Sequence, residues 1–371
     1  MKPFYKLSSY FLFIPIIMAT MIVCSNSYNK VDEEIIFKED IELDNTKNHK
    51  TVPKDMVLIY DGGAHRSVKW DKNHFSPYIY SIKEGEHKLL FDGFLFLEIT
   101  DGNGRGFASG YQKNAARKVE WENLLLNYFT ENNAVHALNS RIEDLVKSKT
   151  ISGKYEKRKV IISIPEPIPN QKDWGELENR QLDFSNRKDR IAACKWYIEY
   201  AEQLFREANF EYVELVGFYW LAEEATNSRD LAKYIADIIY KKDYDFYWIP
   251  YFNSDGYQEW KTLGFNQVYY QPNYFFNENV PYSQLEEACK RAKKHGMNME
   301  VEFDEKALAK NGWGHRLYDY LDVFSQYEVF DSLNVAYYQG GDAFFQLSQS
   351  KDSSDIELYN KLTDIIIKRQ E

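Results

Sequence analysis

The chain has 371 residues, of which 44% are apolar, and a formal net charge of −11. That is enough apolar material for one large core or two modest ones. The charge argues against a nucleic-acid partner, because a phosphate backbone demands clustered Lys and Arg, and the longest basic run here is Lys157-Arg158-Lys159. The three cysteines and seven histidines fall in no metal-ligand spacing, so neither a metal nor another cofactor is expected.

The first 24 residues read as an export signal. Lys2 and Lys6 precede a short apolar stretch, Leu12–Val23, too short to span a membrane comfortably. Cys24 follows directly, which resembles a bacterial lipoprotein signal with Cys24 as the lipidated residue and a membrane as its anchor. Val23 departs from the small residue usual before that cysteine. Residues 25–54 are polar and charged, with Asp32-Glu33-Glu34 and Lys38-Glu39-Asp40, and read as a tether. The expected location is therefore the outside of the cell membrane, on a surface or in a periplasm.

From residue 55 onward, eight short apolar and aromatic runs recur: Met56–Asp61, Phe91–Glu98, Lys159–Glu166, Tyr212–Glu224, Asp245–Asn253, Phe265–Asn273, Met297–Asp304 and Ser332–Gln339. Segments of helical character separate most of them, including one near Ala115–Phe129, one beginning near Asn186, one from Ser283 with a capping-box pattern to Glu286 and a stop at Gly296, and Ile356–Lys368. Alternation at this spacing predicts an α/β fold with a parallel sheet, and eight units predict a single (β/α)8 TIM barrel over residues 55–371. Cys194 and Cys289 fall within predicted helices and read as buried thiols rather than a disulfide. The glycines of Asp101–Gly106 do not have the spacing of a phosphate loop and read as a rim loop.

A barrel of this kind builds its active site at the carboxyl ends of its strands. Those ends carry Asp61, Glu98, Glu166, Glu223-Glu224, Asn253, Gln271 and Asn273, Glu302 and Asp304, and Gln339. In Met297–Asp304 the alternation sets Met299, Val301 and Phe303 on one face and Asn298, Glu300, Glu302 and Asp304 on the other. The acidic face should look into the barrel, with Glu302 and Asp304 highest; Glu300 reads as half of a structural ion pair. A ring of carboxylates and amides among abundant aromatics suggests sugar chemistry. Glycoside hydrolysis needs one carboxyl as acid and another as nucleophile or base, with environments that separate their pKa values.

Strands four and seven end in candidate pairs. This placement resembles the clan of retaining barrel glycosidases, which carry the acid/base after strand four and the nucleophile at the end of strand seven. The usual Asn-Glu at strand four is replaced here by Ala222-Glu223. The assignment that follows is Glu223 as acid/base and Glu302 as nucleophile, with Glu224, Asp304 and Glu166 as fallbacks. Asp61, Glu98, Glu166, Asn253, Gln271, Asn273, Tyr338 and Gln339 are candidate sugar contacts, and Trp70 and Trp174, in polar loops, are candidate stacking platforms.

Two other functions fit the same residues. One is a non-catalytic carbohydrate-binding lipoprotein on a barrel scaffold. The other is a metal-assisted hydrolase using His65, His74, Asp61 and Asp101, whose spacing is nondescript. Sequence gives no oligomeric state.

The strings Leu58-Ile-Tyr-Asp-Gly-Gly63, Phe91-Asp-Gly-Phe-Leu-Phe-Leu-Glu98, Gly104-Arg-Gly-Phe-Ala-Ser-Gly110, Ile164-Pro-Glu-Pro-Ile-Pro-Asn-Gln-Lys-Asp-Trp-Gly175, Gly217-Phe-Tyr-Trp220, Trp248-Ile-Pro-Tyr-Phe252 and Tyr270-Gln-Pro-Asn-Tyr-Phe-Phe276 resemble a bacterial family of exported proteins described as a domain of unknown function. The resemblance spans roughly residues 55–370 and implies one glycosidase-like domain. It supplies no activity.

Overall fold

The structure, a computed structural model, describes Leu43 and residues 48–151 and 156–371. The expected signal, Cys24 and most of the expected tether lie outside the described residues. Eight strands form the barrel: β1 (Asp55–Tyr60), β2 (Gly93–Leu97), β3 (Arg158–Ile164), β4 (Val213–Trp220), β5 (Asp245–Trp248), β6 (Gln267–Tyr270), β7 (Asn298–Glu302) and β8 (Val335–Tyr338). Each pairs in parallel with its sequence neighbours, and β8 pairs with β1, so the sheet closes. Six of the eight expected runs contain their strand, the other two strands begin one residue earlier at Asp55 and Arg158, and the (β/α)8 barrel is the fold.

The strands are buried on both faces, as a parallel barrel inside a helical shell requires. Their near-continuous Val, Ile, Leu, Phe and Tyr content follows from that. The longer helices are α1 (Lys118–Tyr128), α2 (Ala134–Lys147), α3 (Arg187–Ala208), α4 (Ala232–Lys241), α5 (Tyr282–His295), α6 (Gly314–Gln326) and α7 (Ser353–Gln370). Between β1 and β2 the chain makes one helical turn at Ser76–Ile79 and an antiparallel hairpin in place of a full helix. Helix α5 stops at Gly296 in the left-handed region, as expected, but starts one residue before Ser283 on Pro281, with no side-chain cap. The expected capping box is absent because Pro281 already fixes the backbone for helix entry. Cys194 and Cys289 are buried free thiols.

Two local features aim the carboxyl-end loops. In β4 the register slips between Leu215 and Gly217, a bulge that tightens the strand's bend. A Cβ on Gly217 would lie 2.4 Å from the Asp245 carbonyl oxygen, so only glycine permits β4 and β5 to approach this closely. At the end of β1, Gly62 holds φ +104, which turns the chain sharply after Asp61.

The amino end of the barrel is closed by paired charges. Asp55 accepts bonds from Arg369 and Tyr337, both on side chains brought there by the last helix and last strand. Lys159 lies 3.6 Å from Asp92, which also accepts the backbone N–H groups of Lys54 and Asp55. The last residues of the expected tether belong to this end. His49 and Lys50 donate their backbone N–H groups to Asp245, and His49 stacks on Tyr240. Residues 48–54 are thus docked on the barrel rather than part of a free linker, because Asp245 and Asp92 need the donors they bring.

Candidate functional site at the carboxyl end of the barrel

The alternation in β7 holds: Met299 and Val301 pack outward and Glu300 and Glu302 point into the barrel, both essentially closed to solvent. Glu302 is held by three donors. Gln271 Nε2 donates to Oε1 at 2.9 Å, and the Asn273 backbone N–H and the Tyr320 hydroxyl donate to Oε2 at 2.7 and 2.5 Å. Two of these come from the turn after β6, where Asn273 takes the left-handed conformation that aims its N–H at the carboxylate. The third reaches in from α6. Burial lifts the Glu302 carboxyl above the usual range, and the three hydrogen bonds offset only part of that lift.

Glu223 lies three residues past the end of β4 and is half-buried. Its loop is pinned from the β5 side. Trp248 Nε1 donates to the Ala222 carbonyl at 2.8 Å, and Trp220 Nε1 donates to Ser228. Burial, and then the charge of Glu302, push the Glu223 carboxyl up to about 7. Glu300 is lifted well above its ordinary range by burial and then by Glu302 and Glu223. The expected ion pair of Glu300 does not form: among the described residues it has no cationic partner, because the interior around it is filled by tyrosines. Tyr60, Tyr219 and Tyr338 all feel its charge, and their own hydroxyls are raised by burial.

The fallback carboxyls are occupied. Glu224 accepts from the Tyr251 hydroxyl at 2.8 Å. Asp304 caps the short turn that follows it, accepting the Lys306 N–H at 2.7 Å. Glu166 is buried and takes the Ser109 N–H at 2.6 Å and Asn227 Nδ2 at 3.0 Å. Glu166, Glu223 and Glu224 nevertheless share one cavity of about 280 Å³ with Ser109, Tyr111 and Tyr251. Glu302 does not line this cavity.

Several expected sugar contacts do other work. Trp70 is fully buried, with its Nε1 donating to the Tyr60 carbonyl. Trp174 is packed among Trp121, Phe184 and Trp196. Neither is a stacking platform, because each plugs the seam between a rim loop and the helical shell. Gln339 is fully buried and accepts from Tyr78 and the Phe344 N–H, so it fastens the turn after β8. Asn253 is exposed and points its Oδ1 at Arg291 of α5, 2.6 Å away, outside the mouth. Glu98 is buried and held bidentately by Arg66 at 2.6 and 2.7 Å, so it reaches a ligand only through that guanidinium. Asp61 is 6% exposed, accepts Asn127 and Asn133 at 2.6 and 2.8 Å, and faces a different cavity. Gln271, Asn273 and Tyr338 stay at the mouth, the first two on Glu302 and Tyr338 edge-on to Tyr60.

Three residues at the mouth gave no sequence signal. Tyr320 is in the middle of a helix rather than at a strand end. Arg66 lies six residues past Tyr60 yet folds back over its ring, 4.9 Å from the centroid. Tyr111, half-exposed over the Glu223 cavity, is one of many loop tyrosines. It is the exposed ring that Trp70 and Trp174 do not supply.

The fold and this mouth define a (β/α)8 barrel protein with an acidic, tyrosine-rich carboxyl end. The chain belongs to the family described as a domain of unknown function (DUF4855), whose model matches residues 55–364. No curated protein matches it. Among solved structures it is similar to the carboxyl transferase domain of Rhizobium etli pyruvate carboxylase, at 8% identity and a TM-score of 0.37, over 87% of this chain and 49% of that one. The chain therefore spans about half the length of that structure. It is also similar to a protein assigned as an alpha-L-fucosidase from Bacteroides thetaiotaomicron, at 12% identity and a TM-score of 0.40, over 88% and 99% of the two chains. A GH5-4 broad-specificity endoglucanase from an uncultured bacterium matches at 10% identity and a TM-score of 0.37, over 74% and 81%.

Proposed function

We propose that the protein is a retaining glycoside hydrolase acting on a poly- or oligosaccharide outside the cell, with Glu223 as acid/base and Glu302 as nucleophile. The observation that carries this reading is the electrostatic division between the two carboxyls. Glu223 keeps its proton up to about pH 7, in part because Glu302 is charged beside it. Burial lifts Glu302 as well, but it is the carboxyl with three donors, each of which favours its ionised form and offsets part of that lift. One protonated and one ionised carboxyl, on strands four and seven, is the state that a retaining mechanism starts from. Glu223 would protonate the leaving oxygen while Glu302 attacks the anomeric carbon. Glu223 would then take a proton from the water that releases the sugar. Tyr111 offers a ring beside Glu223 on which a pyranose face could stack.

A second reading, a carbohydrate-binding protein without turnover, is favoured by one observation. Glu302 is closed to solvent and does not line the cavity at Glu223. Product release from a broad glycan panel, followed by mass spectrometry, separates the two. Release by the wild type that disappears in both Glu302→Gln and Glu223→Gln supports the hydrolase. Release that survives Glu302→Gln moves the nucleophile elsewhere, and binding without release favours the second reading. The export signal over residues 1–24, the anchor at Cys24 and the domain limits 55–371 stand as part of this proposal. Metabolic labelling with a radioactive fatty acid, lost in Cys24→Ser, tests the anchor.

A further inference from the structure

A second cavity, of about 630 Å³, opens on the same end of the barrel beside the mouth. It lies between the turn after β1, the rim loop Asp101–Gly106 and the outer side of α1. Its volume is in the range of small-molecule sites. Five of its lining residues are asparagines and four are acids, three aspartates and Glu120, set against Lys69 and Arg66. Neutral amides interleaved with carboxylates give paired donors and acceptors, which suits the hydroxyls of a sugar better than an ion of either sign.

Asp61 gives the cavity a built acceptor. It is 6% exposed, and both of its amide donors, Asn127 and Asn133, fall on Oδ2. Among the described residues no side chain donates to Oδ1. Asn123 and Asn132 line the same space with exposed amides that bond to no other described residue. The cavity also shares a residue with the mouth. Arg66 lines it, and the same guanidinium lies over Tyr60, whose hydroxyl feels Glu223 and Glu300.

We infer that this cavity is a distal sugar subsite and that the substrate is a chain of several sugars spanning it and the mouth. The inference rests on the proposed hydrolase reading and adds to it the substrate's length and direction: from Glu223, past Tyr60 and Arg66, to Asp61. Asn123→Trp fills the cavity from the exposed face of α1 at a position that bonds to no other described residue, and Asn123→Ala only removes an amide. Both are made in the Glu302→Gln background, so that binding is read without turnover. The probes are the disaccharide and hexasaccharide of the cello-, xylo-, manno-, malto- and chito- series, measured by calorimetry.

The expected result is a hexasaccharide that binds at least tenfold more tightly than its disaccharide. Asn123→Trp should remove that gain and leave disaccharide binding unchanged, with Asn123→Ala losing roughly threefold. Equal affinity for the two lengths, a gain untouched by Asn123→Trp, or no binding of any hexasaccharide overturns the subsite. The glycan-release assay decides the hydrolase reading separately. Release with no length dependence leaves an enzyme without this subsite, and absence of both release and binding overturns both.

Discussion

Replacing Glu223 by Gln should change how stability depends on pH. In the folded protein this carboxyl sits at about 7 against an ordinary value of 4.5. The folded state therefore holds the proton more tightly than the unfolded chain. The stability this confers is fully present below pH 4.5 and is lost as the pH rises to 7. The difference is about two and a half pH units, and at about 1.4 kcal/mol per unit it amounts to about 3 kcal/mol. Glutamine does not titrate, so the variant should gain on the wild type by up to about 3 kcal/mol between pH 4.5 and 8. Urea melts at pH 4.5, 6 and 8 measure this, with the remaining carboxyls common to both proteins. If the two proteins lose stability in parallel, Glu223 is not a proton-holding acid at neutral pH, and its role as acid/base fails with it. The same titration sets the upper limb of the activity profile, which should fall above pH 7.

Tyr320→Phe removes the 2.5 Å hydroxyl donor from Glu302. A bond to a charged group contributes about 1.5–3 kcal/mol, so glycan release should slow by about 10- to 100-fold and the unfolding free energy should fall by no more than about 3 kcal/mol. Arg66→Met leaves Glu98 buried without its bidentate partner. Breaking such a pair costs about 3 kcal/mol, which a shift of the urea midpoint will show. Glu300→Gln should raise the urea midpoint at pH 8 and leave it unchanged at pH 5, since burial and two neighbouring carboxyls hold the native side chain in its protonated form. Asp55→Asn should lower the unfolding free energy by about 3 kcal/mol, because it leaves the Arg369 charge with backbone carbonyls alone.

The barrel was legible because its evidence is periodic. Eight apolar runs at regular intervals need no long-range information, and each run coincides with its strand to within a residue at the strand's start. The inward acidic face of β7 was legible for the same reason, since alternation alone separates Glu300 and Glu302 from Met299 and Val301. What alternation cannot say is which groups arrive from elsewhere. Tyr320 is one inward residue of α6 like its neighbours Leu317 and Leu321, and only the closed barrel brings its hydroxyl to Glu302. Glu98 and Gln339 are polar residues at strand ends, which is the pattern that suggests ligand contacts. Their partners, Arg66, Tyr78 and the Phe344 N–H, come from loops whose paths the sequence does not fix. Trp70 and Trp174 misled for a related reason. Polar neighbours in sequence suggested exposed loops, but a tryptophan among polar residues is also what pins a loop to a core.

Buried carboxyls in this barrel fall into two groups, those with a cation and those without. At the amino end burial lifts Asp55, but Arg369 opposes it at 2.7 Å, and Asp92 has Lys159 nearby. At the carboxyl end Glu223, Glu300 and Glu302 face one another, and among the described residues none has a cation within ion-pair range. Packing cannot account for that difference, since a buried carboxyl costs free energy unless it is paired or protonated, and a tyrosine-lined interior would hold an apolar residue at position 300 more cheaply. Asp55, Asp92 and Glu98 show that this chain can supply a cation to a buried carboxyl. Glu223, Glu300 and Glu302 have no such cation, and they stand where a barrel does its chemistry. They set a carboxyl that keeps its proton to about pH 7 beside a carboxyl that burial also lifts but that three hydrogen-bond donors pull back toward its charged form.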